Sequence, residues 1–170
     1  MDGSLLNSVG TITPSWLVVS IGGLAGVLAA FVMNWPMSRQ PDGFTPAAIA
    51  AALVFRQSVD EISLPKLLVV HHLTGLLAGV GYGMVVLIGI KSGLPALVWA
   101  AGVDLVVHLL AVAIVVIFIY SFFAHIVLPR AGGRSYEEQA TAIRGQWLRS
   151  SLVFGVTLAV IVPTIFLSMS

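Results

Sequence analysis

Residues 64–90 read LPKLLVVHHLTGLLAGVGYGMVVLIGI. From Leu67 to Ile90 the stretch holds no Asp, Glu, Lys or Arg. A helix crosses the roughly 30 Å hydrocarbon layer of a bilayer with about 20 mostly apolar residues, and this run is long enough to do so. It lacks the period-two alternation of a barrel strand, so a membrane-spanning helix is the reading the pattern favours. Three other segments have the same character: residues 14–37, a run that starts at Leu94, and residues 147–168. The third is unusual, because apolar sequence continues from Leu94 to Leu128. As one helix that run is about 50 Å long, more than an upright span needs. The expectation is a span over 94–120 with a helical extension to about residue 128, projecting beyond the membrane.

Composition supports lipid as the solvent. Of 170 residues, 58% are hydrophobic and 9% charged, against about 25% charged in ordinary soluble domains. A net charge of +1 offers no field for nucleic acid. With no cysteine there is no disulfide, thiol catalysis or Cys-based metal site. The opening MDGSLLNSVGTITPSW carries no basic residue, so the first apolar run reads as a retained span rather than a cleaved signal. The predicted fold class is therefore all-α, one integral membrane four-helix bundle over residues 1–170.

Basic residues set the orientation. Arg39, Arg56 and Lys66 flank or occupy the first connection; Arg130, Arg134, Arg144 and Arg149 do the same for the second. Only Lys91 lies on the other side. The positive-inside rule then makes loops 38–63 and 129–146 cytoplasmic and both termini external (N-out/C-out), in a multi-pass protein of the cell membrane. Trp16, Trp35, Trp99 and Trp147 fall at or near span ends, where indole rings favour the headgroup region. Within the loops, Thr45-Pro46 opens an apolar segment too short to span, which predicts an interfacial or re-entrant helix. Ser135 and Glu138 have the spacing of a capping box, leading through Gly145 into the last span.

Small residues recur at four-residue spacing: Gly22, Gly26 and Ala30, with Asn34 next; Gly75, Gly79 and Gly83; Ala96 and Ala100 before Asp104 and His108; Ser151, Gly155 and Ala159. Helices in lipid associate by close packing, which such faces allow, so these are predicted helix contacts. They suit a bundle that also packs against itself or other membrane subunits.

Polar residues inside spans are the candidate site. Asp104 and His108, four apart, share a helix face if the third span is helical throughout. His71 lies on the glycine stripe of the second span, and His72 at its edge. A continuous hairpin closing near residues 92–93 brings residue i of span two level with about 185 − i of span three, a rule that follows from equal helical rise on both sides. His108 then falls near Leu77, and Asp104 near Gly81 and Tyr82. A cluster of His71, Tyr82, Asp104 and His108, closed by Asn34, fits this geometry. His71 and His108 are the candidate axial ligands of a b-type haem; no metal site is indicated, since Asp104-x3-His108 lacks a third ligand. Sequence signatures of soluble catalysis, GxSxG, HExxH and GxxxxGK[ST], are missing.

The run from His71 to Gly83, HHLTGLLAGVGYG, reads His-x3-Gly-x3-Gly-x2-Tyr-Gly. It resembles a signature of small four-span membrane proteins described as uncharacterised, with His71, Gly75, Gly79, Tyr82 and Gly83 as the matching positions. Asn34-Trp35-Pro36-Met37 is similar to the Met/Pro-rich end of their first helix. The resemblance implies a four-span fold and carries over no catalytic residue, substrate or cofactor. Three functions stay open: a non-enzymatic helical-bundle subunit or scaffold, a proton- or cation-coupled transporter using Asp104 and His108, and a redox subunit binding haem or quinone.

Overall fold

The computed structural model describes residues 14–93, 97–131 and 133–169. Helix α1 covers Ser15–Ser38, α2 Thr45–Phe55, α3 Leu64–Lys91, α4 Leu105–Phe122 and α6 Gly133–Met169. A two-stranded hairpin, β1 Trp99–Ala100 and β2 Val103–Asp104, precedes α4; a π-helical turn, Phe123–Val127, and a short α5, Leu128–Ala131, follow it. Four helical stretches are long and apolar enough to cross a membrane: Ser15–Ser38, Leu64–Lys91, Leu105–Ala131 and Tyr136–Met169.

The four stand in a ring in which α1 packs on α3, α3 on α4, α4 on α6 and α6 on α1. The α1–α3 seam is the most extensive, and glycine makes it so. A methyl group on Gly22 or Gly26 would run into the backbone of Gly79, Gly83 or Gly75, and one on Gly79 into that of Gly22 and Gly26. Gly83 lies against the backbone of Val19, and Gly75 against the Ala30 methyl. The two backbones thus touch over about three turns, which gives dispersion contact that lipid cannot match. Gly155 differs, since it receives the Val112 and Val116 side chains of α4 rather than a backbone. The small-residue faces of α1 and α3 are thereby used inside the bundle.

The third span starts later than its hydropathy suggests. Leu94 and Ala96 lie outside the described residues, but residues 97–104 form no helix: Ala100 is in β1, and Trp99 pairs with Asp104 and Ala100 with Val103. Ala101 and Gly102 both have positive φ, 50° and 74°, the backbone of a two-residue hairpin turn whose twist matches its strands. Asp104 then caps α4, its Oδ1 accepting from the amides of Val106 at 2.9 Å and Val107 at 3.4 Å. A carboxylate is costly inside a span and favourable at a helix N-terminus, where free amides meet it. The expected stretch of 94–120 with an extension to 128 is corrected to a helical region of 105–131, interrupted by the π turn before Pro129. The proline ring cannot sit against the carbonyl four residues back, and the wider turn relieves that clash.

The second connection is helical as well. α6 runs on through Gly145 into the apolar stretch, with one non-helical residue at Gln139. The side chain of Ser135 is outside the described set. α2 lies across the basic end of the bundle, its Ile49 in a small core with Leu128, Tyr136 and Ile143. Trp147 does not sit at a water boundary: it is 5% exposed, packed on Phe123, and donates its indole N–H to the Ile119 carbonyl at 3.2 Å. Trp16, Trp35 and Trp99 remain exposed.

Candidate functional site

The predicted single polar cluster divides in two. Toward the end that carries the hairpin, Tyr82 of α3 and His108 of α4 meet with 2.6 Å between Tyr82 Oη and His108 Nδ1, their rings edge to face. They are 2% exposed each. His108 Nε2 lies 3.2 Å from the Ala159 carbonyl of α6. A carbonyl only accepts, so Nε2 carries the hydrogen and Nδ1 accepts from the tyrosine hydroxyl. One imidazole therefore joins three helices. Ala159 is available because Pro163, four residues on in α6, has no amide hydrogen for it. The carbonyl that the proline orphans is the one His108 takes.

The continuous-hairpin rule had placed His108 beside Leu77. Residues 97–104 fold back without helical rise, so the register moves by about one turn and Tyr82 becomes the partner. Asp104 and His108 are no pair. Asp104 is spent on its own helix cap, and His108 on Tyr82 and Ala159. The shared-face geometry needed for an Asp–His relay required a helix through both residues, and α4 begins between them.

Toward the basic end, His71 is buried and its Nε2 donates to the Ala30 carbonyl of α1 at 3.0 Å. His72 Nδ1 donates to the Leu68 carbonyl at 2.7 Å, and its Nε2 accepts from Asn34 Nδ2 at 3.4 Å. Asn34 thus belongs with His72 rather than closing a cluster with His108, and its buried Oδ1 has no partner among the described residues. A cavity of about 20 Å³ lies beside His71, walled by Ala30, Met33, Thr74 and Phe154 among others; that is room for about one water molecule.

His71 and Tyr82 are eleven residues apart on α3, about 16 Å of helical rise. His108 sits with Tyr82, so the two histidines weighed as haem ligands are held at different depths. Both nitrogens of His108 are already bonded, and the Nε2 of His71 is turned onto a backbone carbonyl. The pair does not fit one haem iron. Among the described residues no three His, Cys, Asp or Glu side chains gather in a way that could hold a metal ion.

Comparison with known proteins finds no match among protein families, curated proteins or solved structures.

What the polar groups do instead is stitch helices together. His71 reaches from α3 to α1, His108 from α4 to α6, and Trp147 from α6 to α4, each ending on a backbone carbonyl. Tyr136 of α6 donates to the Ala124 carbonyl in the π turn at 3.3 Å and accepts from Arg144 Nε at 2.7 Å. Gln146 Nε2 reaches the Pro41 carbonyl at 2.6 Å. Sequence reading missed Pro163, Tyr136 and Gln146, and gave Ala159 a packing role alone. Pro163 carried a usable signal, since a proline in a helix interior leaves the carbonyl four residues earlier in need of a donor.

Proposed function

We propose that this chain is a multi-pass integral membrane protein of the cell membrane, with both termini external and loops 38–63 and 129–146 cytoplasmic, acting as a non-enzymatic helical-bundle subunit. The likeness to small four-span membrane proteins belongs to the same proposal. One observation carries the functional part: His108, a buried side chain, has both ring nitrogens engaged by other helices. A group that moved protons or bound a ligand would need a free or exchangeable valence there. The pattern of His71, Trp147 and Tyr136, each spanning to a neighbouring carbonyl, supports the same reading. Such groups fix which helices neighbour each other, a use of buried polar residues in lipid that packing alone cannot supply.

The glycine seam is internal, so contact with other chains falls to the outward faces, for example Leu73, Leu77, Met84 and Ile88 of α3, all exposed. Mass measurement of the protein extracted in mild detergent tests the subunit role. Self-association or a stoichiometric membrane partner agrees with it. A strict monomer that copurifies with nothing contradicts it.

A further inference from the structure

At the basic end, α2 stops where Arg56 turns into the left-handed region, φ 54° and ψ 44°, its amide bonded to the Ala52 carbonyl. The chain then doubles back through Gln57 and Ser58 into the turn at Val59–Glu61. A cleft of about 340 Å³ opens between this bend and the end of α5. Arg56, Gln57 and Ser58 supply its polar side; Leu53, Val59 and Ala131 supply its apolar wall.

The charge around the cleft is unbalanced. Arg56 is exposed, and its guanidinium makes no hydrogen bond or ion pair with any described residue. Lys66 Nζ donates to Gln57 Oε1 at 2.7 Å and lies over the Phe55 ring at 5.3 Å, so a second cation is held on the Gln57 side. Arg130 precedes Ala131 of the opposite wall and donates to the Ile126 carbonyl of the preceding π turn at 3.4 Å. Two carboxylates are close in sequence: Glu61 is turned back to the Ser58 amide at 3.2 Å, and Asp60 is exposed beside it. Among the described residues that line the cleft, Arg56 is the one charged side chain. Leu53 lines the cleft, and Val54 and Phe55, next along α2, are exposed too.

We infer that this cleft seats one anionic phospholipid of the cytoplasmic leaflet, its phosphate on Arg56 and an acyl chain along Leu53 and Val54. The inference rests on the membrane reading above. A cationic rim joined to an apolar wall at the ends of the spanning helices is complementary to an anionic amphiphile at that depth. A zwitterionic lipid offers the same chain with no net charge, and free phosphate offers the charge with no chain.

The test uses the full chain in nanodiscs of equal phosphatidylglycerol and phosphatidylcholine, with retained lipid read by native mass spectrometry. Expected is preferential retention of one phosphatidylglycerol. Arg56→Gln should reduce it about fivefold, the usual worth of one basic side chain at an anionic membrane surface, while Arg149→Gln leaves it unchanged. Arg130→Gln, outside the bend, should lower it less and guards against a local folding defect in the first variant. Equal retention of the two lipids overturns the inference, as do equal losses in Arg56→Gln and Arg149→Gln, or displacement of the lipid by inorganic phosphate. Failure of the membrane reading would look different: the chain would stay in solution without detergent and never enter the disc.

Discussion

Replacing His108 by alanine removes a side chain that is 2% exposed and bonded at both ends. Tyr82 Oη loses its acceptor and the Ala159 carbonyl loses its donor. Each polar group left unpaired in a protein interior costs about 1–3 kcal/mol, whereas an average interhelical hydrogen bond in a membrane protein is worth about 0.6 kcal/mol. Loss of the imidazole packing adds to both figures. The expected destabilisation is about 3 kcal/mol, taken between those limits. The sharper expectation concerns Pro163→Ala. Alanine restores an amide at residue 163, which gives Ala159 a partner within α6. In that background His108→Ala orphans only the tyrosine hydroxyl, so its cost should fall by about 1 kcal/mol. Reversible unfolding in mixed micelles, followed by helical circular dichroism for the four members of the cycle, measures this coupling. Equal costs of His108→Ala in the two backgrounds, within the roughly 0.3–0.5 kcal/mol of ordinary additivity, would refute the link between the proline and the histidine.

Other expectations follow from the seam, the cap and the histidine depths. Gly79→Ala should lower the unfolding temperature, with a cost of about 1–3 kcal/mol, because the added methyl meets backbone that cannot yield, while Gly81→Ala, with nothing within 4 Å, should be neutral or stabilising. Asp104→Asn should preserve α4, since asparagine caps as well as aspartate, whereas Asp104→Ala should cost about 1 kcal/mol; proton flux in liposomes abolished by the asparagine variant alone would return Asp104 to a relay role. Protein purified with haem supplied during expression should show no Soret band, and a stoichiometric band lost in His71→Ala and His108→Ala would contradict the placement of these rings.

Much of the architecture was legible in the hydropathy. Long uncharged runs favour helices, which satisfy their own backbone hydrogen bonds, and the helical stretches at 15–38 and 64–91 follow those runs closely. The α1–α3 contact was legible too, since glycine at four-residue spacing on both helices has few other uses at such length. The third span was misread for a physical reason. Trp99, Ala100 and Val103 are as apolar as a helix interior, and hydropathy does not distinguish a hairpin from a helix; the Ala101-Gly102 turn and the preference of Asp104 for a cap carried the missing information. The helix assumed there shifted the register, setting His108 level with Leu77 although Tyr82 was already grouped with it, and gave Asp104 a partner it does not have. Trp147 was misjudged because an indole at a span end looks the same whether it faces headgroups or a neighbouring helix.

The central claim is that four helices cross a bilayer with both basic connections on its cytoplasmic face. The chain has no cysteine, so single replacements at Gln57, Ser92 and Thr141, all exposed, can be labelled in intact cells with a membrane-impermeant maleimide. Label reaching Ser92→Cys from outside, with Gln57→Cys and Thr141→Cys reacting only after the membrane is opened, is the expected result. Reaction of Gln57→Cys and Thr141→Cys from opposite sides would contradict the claim.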